Sequence, residues 1–130
     1  MLPGADISHP SPGSLQASVA ALTMSWDNNA CRYAAAVQTN GHRVEMLSES
    51  NIQSMFVHLF GKWIKKVGGG GGPAHIYYFR DGVSEGQYAQ VLDQEVAVMK
   101  KQLFEKFGPP AAGVSLVHNL GFPLLTAFAD

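Results

Sequence analysis

The chain has 130 residues, of which 46% are hydrophobic and 15% are charged, and its formal net charge is -1. These values are typical of one globular domain and exclude a disordered chain, because a disordered chain has fewer apolar residues and a larger net charge. The charge near zero also argues against non-specific nucleic-acid binding, which usually needs a basic protein.

The hydrophobic pattern predicts seven elements in the order β-β-β-α-β-α-β. Apolar residues recurring every three or four positions indicate two helices. A capping box of Ser50 and Gln53 is expected to start the first helix, and one of Ser84 and Gln87 the second. The predicted strands are residues 2–8, 17–26, 31–39, 75–80 and 113–118, the predicted helices are residues 51–67 and 85–107, and residues 42–47 either extend the sheet or form a short strand.

This order of elements predicts an α/β fold with a mixed sheet flanked by helices. Strands joined by short turns are antiparallel neighbours, whereas strands separated by a helix are parallel. We assign residues 1–118 to this domain and residues 119–130 to a tail. Pro3 and Gly4 weaken the first strand, which is expected to leave an exposed edge on the sheet.

The strand at residues 75–80 runs directly into a turn that carries Asp81 and Gly82. Its run of aromatic and β-branched residues is typical of a strand buried on both faces. A carboxylate at the carboxyl end of a central strand lies where open α/β sheets place their ligands. The alternative is that Asp81 only caps the turn.

Three motifs stand out along the chain. Residues 4–10 read Gly-Ala-Asp-Ile-Ser-His-Pro, residues 38–46 contain His-Arg-Val-Glu, and residues 78–87 read Tyr-Phe-Arg-Asp-Gly-Val-Ser-Glu-Gly-Gln. In this order they resemble the G-A-D-V-T-H-P, Q-x-H-R-x-E and Y-R-D-G-V-S-E-G-Q motifs of the PIWI domain of eukaryotic Argonaute proteins. The resemblance covers roughly residues 3–107, is closest to a fungal member, and implies a partial PIWI domain truncated at both ends.

The resemblance implies an RNase H-like fold, in which the first strand lies beside the strand that ends at Asp81. It further implies that Asp6 and Asp81 are the two metal-binding aspartates and that Glu45 completes the catalytic site. Two close carboxylates stay ionised only when a cation compensates their charge, and their hard oxygens favour Mg²⁺ or Mn²⁺. Taken alone, Glu45 is equally consistent with a surface carboxylate.

The resemblance also implies a guide-directed endoribonuclease of RNA silencing that cleaves target RNA by two-metal phosphodiester hydrolysis. The family's fourth catalytic residue lies beyond the matched motifs, and neither His118 nor Asp130 is assigned to that role, so the chain alone is expected to be inactive. The alternative is a scaffold fragment that holds guide and target RNA without cutting. A third possibility, a non-nuclease interaction module, would require Asp6 and Asp81 to be coincidental.

The implied partners are a small guide RNA, a complementary target RNA and the remaining Argonaute domains. No apolar stretch is long enough to span a bilayer, so no membrane partner is expected. The single cysteine, Cys31, suits a reducing compartment, and we expect an intracellular location in the cytoplasm or also in the nucleus. Arg43 and Arg80 flank the acidic residues and could contact phosphates or pair with local carboxylates.

Overall fold

The computed structural model describes residues 1–108 in full and, beyond them, the backbone of two strands at residues 113–118 and 125–129. The strands are β1 (Pro3–Ser8), β2 (Val19–Ser25), β3 (Tyr33–Thr39), β4 (His75–Arg80), β5 (Gly113–His118) and β6 (Leu125–Ala129). They form one sheet in the order β3-β2-β1-β4-β5-β6. The predicted α/β fold with an RNase H-like order of elements is confirmed.

Two continuous helical segments accompany the sheet, and each contains a stretch of wider π-helical turns. The first helical segment (residues 49–66) is α-helical at Glu49–Asn51, π-helical at Ile52–Val57 and α-helical at His58–Lys66. The second helical segment (residues 85–107) consists of a 3₁₀ turn at Glu85–Gln87, α-helix at Tyr88–Val91, a π-helical stretch at Leu92–Val96 and α-helix at Ala97–Phe107. Within the described residues, neither segment has the length and apolarity needed to cross a membrane.

The strand β1 lies in the middle of the sheet. It pairs antiparallel with β2 and parallel with β4. The expectation of an exposed edge at this strand is therefore wrong, because both sides of β1 are hydrogen-bonded, and β3 and β6 form the edges of the described sheet. The predicted hairpin of β2 and β3 is antiparallel, and β4 pairs parallel with β5 across the second helical segment, as expected.

The core lies between one face of the sheet and the two helical segments. Because strand side chains alternate between faces, every second residue of β1, β2 and β4 points into this core. The buried apolar residues of the strands are Ala5, Ile7, Ala20, Leu22, Met24, Ile76 and Tyr78, and those of the helical segments include Ile52, Met55, Phe56, Leu59, Phe60, Trp63, Val91, Val96, Met99 and Leu103. Each large side chain of this kind stabilises the fold by about 1.5–3 kcal/mol relative to full exposure.

The opposite side of the sheet, which we call the outer face, carries Gly4, Asp6, Ala21, Thr23, Val37, Tyr77 and Phe79. Among the described residues no helix packs on it, and Tyr77 and Phe79 remain 42% and 38% exposed. The prediction that the strand at residues 75–80 is buried on both faces is therefore wrong for the described part of the chain. The outer face is open to solvent, and it is the face on which Asp6 lies.

The structure also corrects some predicted boundaries. The first helical segment begins two residues early, because Ser48 rather than Ser50 is its N-cap and accepts a hydrogen bond from the Asn51 N–H at 3.1 Å. The capping box of Ser84 and Gln87 is present as predicted. Residues 42–47 form no strand, and β6 is a strand that the sequence pattern did not reveal. It lies in the predicted tail, of which residues 119–124 and 130 fall outside the described residues.

Candidate functional site

Asp6 and Asp81 lie at neighbouring positions on the outer face. The strands β1 and β4 run parallel, with Ala5 opposite Arg80, so the next residue along each strand is an aspartate. The Asp81 N–H donates to the Ala5 carbonyl oxygen at 3.1 Å, which continues the pairing past the end of β4. The parallel register thus brings together two residues that are far apart in sequence.

Both aspartates line one open cavity of about 340 Å³. Its other lining residues are Gly4, Ala5, Ala21, Thr23, Phe79 and Arg80. The side chains of Asp6 and Asp81 are exposed, so a ligand in the cavity can reach both carboxylates.

Gly82 shapes the space between the two aspartates. Its N–H donates to Asp81 Oδ1 at 2.9 Å, which orients that carboxylate. Its φ of +76° is a conformation that residues with a side chain rarely adopt. A Cβ at this position would also lie only 2.9 Å from Asp6 Oδ1, closer than such atoms approach. The Asp6 carboxylate therefore occupies the space that glycine leaves empty.

This pair of carboxylates fits a hard divalent cation that retains other ligands. Mg²⁺ usually binds proteins through one or two carboxylates, keeps several waters and takes further oxygens from substrate phosphates. Among the described residues no three His, Cys, Asp or Glu side chains are arranged to hold a metal ion. The donors therefore suit an open site that a substrate can enter, and they do not form a closed cage.

The Glu45 side chain does not join the two aspartates. It is not among the residues that line their cavity, and its Oε1 lies 2.9 Å from His9 Nε2. The other ring nitrogen of His9, Nδ1, is 2.6 Å from Ser18 Oγ. Of the three site residues expected from the sequence, the structure brings Asp6 and Asp81 together and places Glu45 beside His9.

The glutamate segment (residues 40–48) has no regular secondary structure but is held by a buried amide. The Asn40 side-chain nitrogen donates to the carbonyl oxygens of Val44 at 3.2 Å and Met46 at 2.8 Å. Its oxygen accepts from the Ser48 N–H at 3.2 Å and from the Asn51 side chain at 2.8 Å. This one side chain ties together the two ends of the glutamate segment and the first helical segment.

A buried ion pair of Arg80 and Glu95 lies directly beneath the cavity. Arg80 Nε donates to Glu95 Oε1 at 2.9 Å, and the two residues are 2% and 0% exposed. Glu95 also accepts from the Tyr78 hydroxyl at 2.7 Å and from the Leu47 N–H at 2.9 Å. Of the two alternatives considered for Arg80, the structure supports pairing with a carboxylate.

The remaining nitrogens of Arg80 contact the two candidate segments. Nη1 donates to the carbonyl oxygen of Asp81, and Nη2 donates to that of Glu45 at 2.5 Å. Arg80 is thus the residue through which the backbone at Asp81 and the backbone at Glu45 are joined.

Burial raises the pKa of Tyr78 well above its usual value of 10, and the Glu95 carboxylate raises this pKa further, while Arg80 partly offsets the effect. The Tyr78 hydroxyl is therefore protonated at neutral pH and able to donate to Glu95.

Sequence reasoning missed Glu95. The available signal was its spacing, since it lies four residues from both Val91 and Met99, which are buried on the core side of the second helical segment. A carboxylate on an apolar helix face is rare unless it is paired. Such a position should prompt a search for a buried cation.

The other candidates have local roles or fall outside the description. Arg43 Nη2 donates to the Pro10 carbonyl oxygen at 2.9 Å. The backbone of His118 belongs to β5, and Asp130 lies outside the described residues.

Comparison with known proteins decides the family. The Piwi domain model matches residues 1–114. The chain belongs to the Piwi domain family. Argonaute 2 of Oryza sativa subsp. japonica is 37% identical over 128 residues, an alignment that covers 95% of this chain and 12% of that protein. The sequence resemblance to Argonaute PIWI domains is thereby confirmed, while the fungal assignment stays a prediction.

Solved Argonaute structures share the fold of this Piwi chain. The C-terminal lobe of a budding yeast Argonaute superimposes with a TM-score of 0.76 at 28% identity, covering 90% of this chain and 23% of that one. The Kluyveromyces polysporus Argonaute with a guide RNA gives a TM-score of 0.76 at 27% identity, covering 90% of this chain and 14% of that one. The chain therefore spans a small part of the Argonautes that it matches.

Proposed function

We propose that Asp6 and Asp81 together bind a divalent cation, Mg²⁺ or Mn²⁺, as part of a guide-directed endoribonuclease of the Argonaute type. The observation that carries this proposal is the shared cavity, which the parallel register of β1 and β4 supplies with two exposed carboxylates. Gly82 leaves room for one carboxylate and donates a hydrogen bond to the other. Membership of the Piwi family adds independent support.

In this proposal the chain's own residues bind and orient the reactants. A pair of bound ions would activate a water molecule and stabilise the leaving oxygen in phosphodiester hydrolysis. The carboxylates of Asp6 and Asp81 supply negative charge on an open face, where the RNA backbone can approach. The Gly82 N–H keeps the Asp81 carboxylate turned toward the cavity.

Glu45 is proposed as the third carboxylate of the site. In the structure its side chain contacts His9, so joining Asp6 and Asp81 would require it to leave that contact. Its backbone carbonyl oxygen accepts a hydrogen bond from Arg80, the residue that also contacts the backbone of Asp81.

The proposed partners are a guide RNA, a complementary target RNA and other Argonaute domains. The Kluyveromyces polysporus Argonaute was solved with a guide RNA, which supports the first of these. The net charge of -1 gives this chain little general attraction for phosphates. Recognition would therefore depend on the A-form shape and 2′-hydroxyls of the duplex, together with surfaces outside this chain. An RNA-silencing role places the protein inside the cell.

A scaffold that holds guide and target RNA without cutting is the second candidate. It is favoured by the position of Glu45 at His9 and by the lack, among the described residues, of a group of three metal-binding side chains. The two candidates differ in whether a cation at Asp6 and Asp81 leads to cleavage.

The proposal is tested by calorimetric titration of Mn²⁺ into the purified chain and into Asp6→Asn and Asp81→Asn variants. We expect both substitutions to abolish the same binding event, because each removes one of the two carboxylates that line the cavity. Asp93→Asn is the matched control, since Asp93 is an exposed aspartate on the second helical segment. Equal Mn²⁺ binding by all four proteins would overturn the proposal.

Cleavage of guide-paired RNA by a longer Argonaute that carries this chain, with and without Mn²⁺, then separates the two candidates, because the chain alone is expected to be inactive. Manganese-dependent cutting that both aspartate substitutions remove supports the endoribonuclease. Manganese binding without cutting supports the scaffold.

A further inference from the structure

We propose that Glu95 is a positioning residue for the candidate site and acts through Arg80. This inference rests on the proposed function, because the site that Glu95 would position is the one formed by Asp6, Asp81 and Glu45. Glu95 itself contacts none of these side chains in the structure. It is fully buried, in the π-helical stretch Leu92–Val96.

The first step of the argument is that Glu95 fixes the orientation of Arg80. A guanidinium is planar and presents its donors in a rigid fork. Arg80 Nε contacts both carboxylate oxygens of Glu95, at 2.9 and 3.2 Å. Once this edge is bound, the directions of Nη1 and Nη2 are determined.

The second step is that both Nη atoms point at backbone of candidate site residues. One donates to the Asp81 carbonyl oxygen and the other to the Glu45 carbonyl oxygen. Glu95 holds the glutamate segment a second time, since it accepts from the Leu47 N–H at 2.9 Å. A single buried carboxylate therefore links the turn after β4 to the glutamate segment.

The third step is that a buried ion pair is weak evidence of a purely stabilising role. Two well-packed apolar residues in place of a buried pair often leave a protein equally stable or more stable. The contacts of Arg80 and Glu95 instead fix the relative position of two backbone segments, and supporting residues of this kind typically change metal affinity 10- to 100-fold.

The test uses two variants, Glu95→Gln and the triple variant Tyr78→Phe/Arg80→Met/Glu95→Met. The triple variant removes both charges and the tyrosine hydroxyl together, so that no buried charge is left unpaired and the core can remain folded. We expect both to weaken Mn²⁺ binding by about 10- to 100-fold. We also expect faster hydrogen exchange at the Asp81 and Gly82 amides, which requires no metal. Leu103→Ala is the control, because it opens a cavity in the same helical segment away from the site and should leave both readouts near wild type.

The outcomes separate this inference from the proposed function. A wild-type chain that binds no Mn²⁺ contradicts the proposed function, whereas exchange at Asp81 and Gly82 still reports on Glu95. A folded variant with wild-type exchange at these amides and unchanged Mn²⁺ affinity overturns the inference. The wild-type chain gives a check that needs no variant: the Arg80 Nε proton should exchange slowly, and rapid exchange would show that Glu95 does not hold it.

Discussion

At the scale of single residues, the candidate site depends on Gly82. Because glycine has no Cβ, the Asp6 carboxylate can fill the space where that atom would be. The same residue turns the chain through a positive φ and directs its N–H to the Asp81 carboxylate. One glycine thereby serves the shape of the turn and the spacing of the two acids.

We expect Gly82→Ala to weaken Mn²⁺ binding and to lower the free energy of unfolding by about 1–2 kcal/mol, the cost of placing an alanine in a left-handed conformation. Gly13→Ala separates the two effects, because Gly13 also has a positive φ, of +84°, but a Cβ there would contact nothing within 4 Å. Urea denaturation should show similar stability losses in both variants. Calorimetric titration should show weakened Mn²⁺ binding in Gly82→Ala only. A Gly82→Ala variant with wild-type Mn²⁺ affinity would contradict the assigned spacing.

At the scale of elements, the glutamate segment shows how a stretch without regular secondary structure can still be well defined. Its first residues pair with the backbone of Ser18 beside β2, and the polar backbone groups around Glu45 pair with the side chains of Asn40, Arg80 and Glu95. A buried backbone group left without a partner is costly, so each of these side chains restricts the segment. The position of Glu45 is therefore set by Asn40 within the segment and by one residue each of β4 and the second helical segment.

Asn40→Ala should lower the free energy of unfolding by about 2–6 kcal/mol, because buried groups of Met46 and Asn51 each lose a partner at about 1–3 kcal/mol. Urea denaturation measures this loss, and hydrogen exchange should quicken at the Ser48 amide, which donates to Asn40. Asn28→Ala, at an exposed turn residue, is the control and should change stability by less than about 0.5 kcal/mol. Equal stability of the two variants would show that Asn40 does not hold the segment.

At the scale of the whole molecule, the buried cluster of Tyr78, Arg80 and Glu95 makes the free energy of unfolding fall at alkaline pH. The folded chain keeps Tyr78 protonated to a higher pH than the unfolded chain, because burial and Glu95 raise its pKa above 10. Above pH 10 the unfolded state therefore releases a proton that the folded state retains, and stability falls as pH rises. Below pH 10 both states are protonated, and the full stabilisation is present.

We expect Tyr78→Phe to reduce the free energy of unfolding at neutral pH by about 1.5–3 kcal/mol, the contribution of a hydrogen bond to a charged acceptor. Between pH 10 and 12 the variant should lose less stability than the wild type does. Chemical denaturation across this range measures both effects, with Tyr33→Phe as the control at an exposed tyrosine of β3. Parallel pH profiles for wild type and Tyr78→Phe would refute this account.

The sequence predicted the order of elements because strand and helix periodicity are local properties, and it placed β4 at its observed bounds. The motif resemblance added the pairing of β1 with β4, which no local pattern contains. Two kinds of feature escaped. The exposure of Tyr77 and Phe79 depends on what covers the outer face, and the partner of Glu95 depends on packing between β4 and the second helical segment. Both are tertiary facts that composition and spacing leave open.

The central position of β1 in the sheet determines when each of its two sides can pair during synthesis. During synthesis β1 and β2 are made before β4, so β1 can pair with β2 early, but its other side must wait until β4 has been made. At roughly 5–20 residues per second, that side remains unpaired for several seconds. An unpaired strand edge invites pairing with other chains, so the nascent protein passes through an aggregation-prone interval. The two aspartates become neighbours only when that interval ends.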